Sequence, residues 1–163
     1  MKPEFRVSAR ISKPVAEVYD AVVNPAKLSS YFTTVRGASA PLVPGTTVTW
    51  WGEVPVEVDE VLAQERIVLR WDGPRSTDGR TYKTCIEMKF QPLDDEATLV
   101  TITESGWRED EGDRRASYLN CEGWSQMLCC MKAFLEHGIN LREGYYQSEL
   151  AGVPAREPNR DSL

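Results

Sequence analysis

Glu104 is the side chain in this sequence whose position most strongly suggests chemistry. It ends the segment Thr98 to Glu104, where alternation places Val100, Ile102 and Glu104 on one side of a strand. A carboxylate among apolar neighbours needs a cation or hydrogen-bond donors, or it stays protonated with a raised pKa. Such a group could anchor the polar end of a small molecule, or act as a general acid or base.

A plainer interpretation places Glu104 at the fraying end of its strand. There its carboxylate would reach water, or pair with an arginine such as Arg70 or Arg108. Under the chemical interpretation, Tyr82 lies on the same side of a neighbouring strand and donates a hydrogen bond beside Glu104. If the chain is an enzyme, its candidate catalytic residues are therefore Glu104 as acid or base and Tyr82 as donor.

Large apolar side chains could form a cavity next to Glu104. Aromatic and methionine side chains adapt well to an apolar ligand, but the same residues could equally interlock as an ordinary filled core. Trp107 lies in a polar connector, where it could close the cavity as a lid or fasten the connector to the sheet. The candidate ligand-binding residues are Trp71, Tyr82, Ile86, Met88, Ile102, Glu104, Trp107, Trp124, Met127, Leu128 and Met131.

A long helix, predicted over Arg115 to His137, must position four of these candidates. At ~1.5 Å per residue it would span roughly 35 Å, enough to lie across a small sheet. A period of 3.6 residues gathers its apolar side chains on one face, which therefore requires burial. That face consists of Cys121, Trp124, Met127, Leu128, Met131, Phe134 and Leu135.

The remaining candidates belong to a predicted antiparallel sheet. Phe5 to Ile11 alternates as a first strand, and two short helices follow, one from Pro14 to Val22 and one from Ala26 to Phe32. Short polar breaks between the later strands favour antiparallel pairing, so the fold class is α+β. The later strands are predicted at Thr46 to Trp51, Glu53 to Leu62, Arg66 to Trp71, Tyr82 to Gln91 and Thr98 to Glu104.

Composition narrows the classes of function. The chain has 163 residues and a net charge of −6, which fits one domain and argues against nucleic acid as a partner. It has no apolar run long enough for membrane insertion and no signal-peptide pattern, so we expect a cytoplasmic protein. The four cysteines and one histidine lack metal-ligand spacing, and we predict neither a metal nor an organic cofactor. We expect one domain over residues 1–146 and a polar, flexible tail over residues 147–163.

Several motifs, taken in order, resemble one known family. The segment ISKPVAEVYDAVVNPAKLSSYF is similar to the opening of the activator of heat-shock-protein-90 ATPase homologue-like family, within the START and birch-pollen-allergen (SRPBCC) superfamily. The resemblance covers most of residues 5–140. Its further pieces are PLVPGT at Pro41 to Thr46, the pair Arg70-Trp71, ATLVTITESGW at Ala97 to Trp107 and EGWSQMLCCMKAFLE at Glu122 to Glu136.

The resemblance implies a helix-grip fold, in which a curved antiparallel sheet of about six strands wraps around a long C-terminal helix. Many members of that superfamily hold small hydrophobic molecules between the sheet and the helix. We therefore predict that the chain binds a small hydrophobic or amphipathic molecule there. An enzyme of the cyclase or hydrolase type acting in the same cavity is one alternative. A module that binds a chaperone, another protein or a second copy of itself is the other.

Overall fold

The computed structural model describes residues 1–75 and 79–143. These residues form an α+β domain with a curved antiparallel sheet, two short helices after the first strand and a long C-terminal helix, which confirms the predicted helix-grip class. The predicted tail, residues 147–163, lies outside the described residues. In chain order the elements are β1 (Phe5–Ile11), α1 (Val15–Val23), α2 (Pro25–Tyr31), β2 (Thr47–Trp50), β3 (Val54–Leu62), β4 (Arg66–Asp72), β5 (Lys83–Asp94), β6 (Ala97–Ser105) and α3 (Glu111–His137).

The six strands are ordered β1-β6-β5-β4-β3-β2, so the first strand pairs with the last. In β6, Glu104 lies between Phe5 of β1 and Ile86 of β5 in the antiparallel register. Because both neighbouring strands are paired at this point, Glu104 does not lie at a fraying strand end. The alternation predicted for β5 and β6 is confirmed, since Thr84, Ile86, Val100, Ile102 and Glu104 are all buried.

Helix α3 begins at Glu111, about one turn before the predicted start at Arg115. The side chain of Asp110 caps it by accepting a hydrogen bond from the backbone nitrogen of Asp113 at 2.8 Å. The helix ends at Gly138, which adopts the left-handed conformation with φ of 67°. The acidic first turn offers no apolar period, which is why periodicity alone missed it. No helix in residues 1–75 and 79–143 is both long and apolar enough to cross a bilayer.

The inward face of α3 changes character along its length. In its first part, which we call the polar half (residues 111–122), the residues turned toward the sheet are Asp113, Ser117 and Asn120. In the apolar half (residues 124–137) they are apolar. The most deeply buried of these are Trp124, Met127, Leu128 and Met131, each no more than 2% exposed.

Asp110→Ala should lower the free energy of unfolding by about 1 kcal/mol, because it leaves the Asp113 backbone nitrogen without its capping acceptor. Asp110→Asn keeps an acceptor at the same position and should stay within about 0.5 kcal/mol of the wild type. Urea denaturation of both variants measures the difference. Equal losses in the two variants would show that the cap does not hold the start of α3.

Candidate functional site

Glu104 is wholly buried, with 0% of its surface exposed. Its carboxylate accepts hydrogen bonds from the indole nitrogens of Trp71 at 2.8 Å and Trp124 at 3.0 Å. The hydroxyl of Thr84 donates at 2.6 Å, and the amide nitrogen of Asn120 lies 3.1 and 3.2 Å from the two carboxylate oxygens. Side chains from β4, β5 and α3 therefore converge on a single carboxyl group.

All four of these donors are neutral, which decides the electrostatics of the site. Burial raises the pKa of Glu104, and the hydrogen bonds oppose that rise without cancelling it. The plainer interpretation of Glu104 is wrong, because it reaches neither water nor an arginine. Arg70 instead binds Asp59 at 2.5 Å, and the Arg108 guanidinium lies 4.3 Å from the ring centre of Tyr82.

An aromatic cluster adjoins the carboxyl. The rings of Trp71 and Trp124 stack at 5.3 Å, and the edge of Trp50 meets them at 6.3 and 6.5 Å. Phe32 also stacks on Trp124, at 5.6 Å. We call Trp50, Trp71 and Trp124 the indole cluster. Two of its three indole N–H groups donate to Glu104, whereas that of Trp50, which is 0% exposed, has no acceptor among the described residues.

The side chains between the sheet and the apolar half of α3 are closed off from solvent. Two pockets of about 480 and about 730 Å³ open on the surface, and no residue of α3 lines either of them. Within the described parts of the chain, no three His, Cys, Asp or Glu side chains converge as metal ligands would. Of the candidate ligand-binding residues, those no more than 2% exposed are Ile86, Met88, Ile102, Glu104, Trp107, Trp124, Met127, Leu128 and Met131.

Tyr82 lies away from Glu104, contrary to the prediction that the two would act together. β5 starts at Lys83, so the alternation of the strand does not extend to Tyr82. Its hydroxyl donates to the carboxylate of Asp113 in the first turn of α3, and its ring packs so closely on Gly73 that a Cβ there would lie 2.3 Å away. Burial and then this hydrogen bond raise the pKa of Tyr82. The hydroxyl that does meet Glu104 belongs to Thr84.

Trp107 is 2% exposed and lies in the connector between β6 and α3. The preceding residue, Gly106, has φ of 91°, and a Cβ there would come within 3.4 Å of the Lys83 carbonyl oxygen. The connector thus lies close to the start of β5. The indole N–H of Trp107 has no acceptor among the described residues.

Three residues of the site were missed by the sequence analysis. Thr84 shares the inward face of β5 with Ile86, so strand alternation could have found it. Asn120 lies one turn before Trp124 on the same side of α3, so helical periodicity could have found it. Trp50 is on the same face of β2 as Val48, and both are buried, but nothing in the sequence indicates that β2 reaches the indole cluster.

A comparison with protein families identifies one that covers most of the chain. A family model described as activator of Hsp90 ATPase homolog 1-like protein matches residues 12–136. Among functionally curated proteins, no sequence match is found.

Several solved structures share this fold, and they belong to proteins from different organisms and settings. SSP2350 from Staphylococcus saprophyticus is 24% identical, with a TM-score of 0.69 and coverage of 86% of this chain and 96% of that one. DynU16, from the dynemicin biosynthetic locus, is 24% identical with a TM-score of 0.68, over 83% of this chain and 48% of its own. PFC0360w, an HSP90 activator from Plasmodium falciparum, is 16% identical with a TM-score of 0.66, over 83% and 96%. At these identities the similarity shows the fold.

Proposed function

Because the chain belongs to the family of activator of Hsp90 ATPase homolog 1-like proteins, whose fold commonly binds hydrophobic ligands, we propose that it binds a small, largely apolar molecule between the sheet and α3. The polar end of that molecule lies beside Glu104 and its apolar body against the indole cluster. The observation that carries the proposal is the fully buried carboxyl of Glu104, held by neutral donors among aromatic rings.

A buried carboxyl is costly to keep in a core. Its desolvation is only partly offset by neutral donors, which is why its pKa is raised. Convergent polar groups with a perturbed pKa, set in apolar surroundings, are typical of ligand sites in proteins. Glu104 supports the proposal on these grounds, because a core serving packing alone would be more stable with apolar side chains in place of both Glu104 and its polar partners.

The indole N–H of Trp50 provides a second support. A buried donor without an acceptor costs about 1–3 kcal/mol, so a ligand that carries a carbonyl or hydroxyl oxygen would relieve that cost. Trp50 touches both Trp71 and Trp124, whose indoles bind Glu104. The indole cluster therefore has an unpaired donor at Trp50 next to the two indoles that bind Glu104, and it favours a ligand with a complementary acceptor.

The closed interior means that ligand entry requires side chains to move. Trp71 is the most exposed member of the indole cluster, being half-buried, so its ring is the part of the cluster nearest to solvent. DynU16, encoded in a biosynthetic locus, shows the same fold in a setting where small organic molecules are made. By extension to this chain, we favour a compact, flat organic molecule over a long acyl chain, since the site is bounded by ring faces.

The experiment compares two ligands of one shape, naphthalene and 1-aminonaphthalene, by tryptophan fluorescence and thermal shift. Both should bind, and a ligand present at 100 times its Kd should stabilise the fold by about 2.7 kcal/mol. Glu104→Gln should weaken 1-aminonaphthalene about tenfold, because its amine loses the carboxyl group as an acceptor, and should change naphthalene little. Glu96→Gln makes the same chemical change on an exposed turn and should alter neither Kd.

Native mass spectrometry before and after dialysis completes the test by revealing ligands that purify with the chain. If neither naphthalene compound binds and no library of lipids or aromatic molecules shifts the melting temperature, the proposal is wrong. Equal weakening of both ligands by Glu104→Gln would place the polar end of the ligand elsewhere.

The closed interior favours a second candidate function, that of a protein-binding module. PFC0360w is an HSP90 activator, and its fold is shared by this chain. Under this alternative Glu104 and the indole cluster hold α3 rigidly on the sheet, and a partner binds the outer surface. A change in the ATPase rate of a purified Hsp90 on addition of the chain, together with an absence of small-molecule binding, would support this candidate over the first.

A further inference from the structure

The two halves of α3 are attached to the sheet by different forces. The apolar half is held by packing of buried side chains such as Met127 and Met131, and by hydrogen bonds to the end of β1. In those hydrogen bonds Lys132 donates to the Arg10 carbonyl at 2.8 Å, and Glu136 accepts from the Ser12 backbone nitrogen at 2.6 Å. Removing the apolar half from the sheet would expose a large apolar area, so it stays in place.

No side chain of the polar half belongs to the hydrophobic core cluster of the domain. Ser117 is 4% exposed, yet its hydroxyl donates to the Arg114 carbonyl of its own helix. The side-chain hydrogen bonds that tie the polar half to the strands and to the chain before β5 are made by Asn120, bound to Glu104, and by Asp113, which accepts from the hydroxyl of Tyr82. A helix segment held by a few hydrogen bonds separates from a sheet far more readily than one held by a core.

A second set of contacts, made by Arg108, lies around Asp113. The backbone nitrogen of Arg108 donates to the same carboxylate at 2.7 Å, and the Arg108 guanidinium covers the Tyr82 ring at 4.3 Å. Arg108 also donates to the Arg80 carbonyl at 3.2 Å. We call the contacts among Tyr82, Arg108 and Asp113 the latch. It joins the chain before β5 to the connector and to the first turn of α3, on the approach to Glu104.

Gly123 lies where the polar half meets the apolar half. A glycine inside a helix is about 1 kcal/mol less favourable than alanine. No atom lies within 4 Å of the position that a Cβ on Gly123 would occupy, so packing does not require a glycine there. The helix is thus weakest at the boundary between its two modes of attachment.

We propose that the polar half of α3 is a gate over Glu104, which bends at Gly123 and is closed by the latch. The inference rests on the proposed function, because it states how a ligand would reach the indole cluster in a structure whose interior is closed to solvent. When the latch opens, the polar half lifts, the Asn120 contact breaks, and Glu104 with the indoles of Trp71 and Trp124 meets solvent. The apolar half remains on the sheet throughout.

Hydrogen exchange of the tryptophan indole protons, followed by NMR, tests the gate directly. The Trp71 and Trp124 indole protons are bound to Glu104 and should exchange only when the gate opens. Tyr82→Phe removes one hydrogen bond to a carboxylate and should speed their exchange about 10- to 100-fold. The indole proton of Trp51, bound to the Phe32 carbonyl at 3.3 Å, and the backbone amides of the apolar half should keep their wild-type rates.

Gly123→Ala provides the opposite perturbation and keeps the test decisive if Tyr82→Phe folds poorly. It should slow exchange of the Trp71 and Trp124 indole protons about fivefold, because alanine resists bending at the junction. The control is Ser125→Ala, which strengthens the helix at an exposed position of the apolar half and should leave those rates unchanged. If these indole protons always exchange together with the amides of the apolar half, the chain opens as a whole and the gate is wrong.

Ligand association rates distinguish a failure of the gate from a failure of the proposed function. The association rate of 1-aminonaphthalene should rise in Tyr82→Phe and fall in Gly123→Ala by the factors found for indole exchange. If the wild type binds no ligand but the exchange pattern holds, the proposed function fails and the gate stands. If the ligand binds while neither variant changes exchange or association, the gate fails and the proposed function stands.

Discussion

Glu104→Leu should lower the free energy of unfolding by about 4 kcal/mol, even though it places an apolar side chain in an apolar core. The four donors that now meet on the carboxylate would remain buried with no common acceptor. Asn120 can turn toward solvent, but the indoles of Trp71 and Trp124 are fixed by their rings and cannot. The loss is measured by urea denaturation with both fluorescence and circular dichroism.

Glu104→Gln is the matched control, because it keeps the shape and one acceptor oxygen, and it should cost only about 1–2 kcal/mol near neutral pH. It also reveals the ionisation of the site. Burial raises the pKa of Glu104 in the folded chain, so the folded chain holds this proton more tightly than the unfolded chain does. That stabilisation is complete below the unfolded pKa of about 4.3 and is lost as pH rises through the raised folded pKa.

The wild type should therefore lose stability relative to Glu104→Gln as pH increases across that window. Other titrating groups are common to both proteins and cancel in the difference. A difference that is flat with pH, or that moves the other way, would mean that the hydrogen bonds outweigh burial at Glu104. A loss below 1 kcal/mol in Glu104→Leu would show that the donors find other partners.

Trp124→Ala should be at least as damaging, with an expected loss of about 5 kcal/mol. The ring of Trp124 stacks on both Phe32 and Trp71, so its removal leaves a cavity that these two rings cannot fill without leaving their stacked positions. Glu104 would lose one of its indole donors as well. Because whole domains are stable by about 5–15 kcal/mol, we expect a partly unfolded protein at 37 °C by differential scanning calorimetry.

Two further variants serve as controls for Trp124→Ala. Trp124→Phe keeps most of the ring volume and loses only the N–H donor, so it should cost about half as much. Tyr118→Ala removes an aromatic ring from the exposed side of the same helix, where Tyr118 is 68% exposed, and should change stability by about 0.5 kcal/mol or less. If Trp124→Ala proves as mild as Tyr118→Ala, the aromatic cluster does not support the domain.

The fold was predictable because its elements show clear periods. The inward faces of β5 and β6 follow from alternation, and that of α3 follows from its 3.6-residue period. The order of strands and helices along the chain then permits few folds. The presence of Glu104 in the interior followed from the same alternation.

The partners of Glu104 could not be predicted, because they depend on how α3 is rotated against the sheet. Asn120 lies about one helical turn before Trp124, and both side chains bind the Glu104 carboxyl in the structure. Tyr82 was misplaced because the strand begins one residue later than expected, at Lys83. Whether the space under α3 is empty or filled depends on three-dimensional packing, which periodicity does not measure.

The pairing of β1 with β6 has a consequence for how the chain reaches its native state. During synthesis at about 5–20 residues per second, β1 leaves the ribosome and waits about 5 to 20 s for β6, the strand it pairs with in the described sheet. Throughout that interval its apolar side and its unpaired backbone are open to other nascent chains. Such long-range closure also slows folding, so we expect a refolding rate in the slower range for a domain of this size.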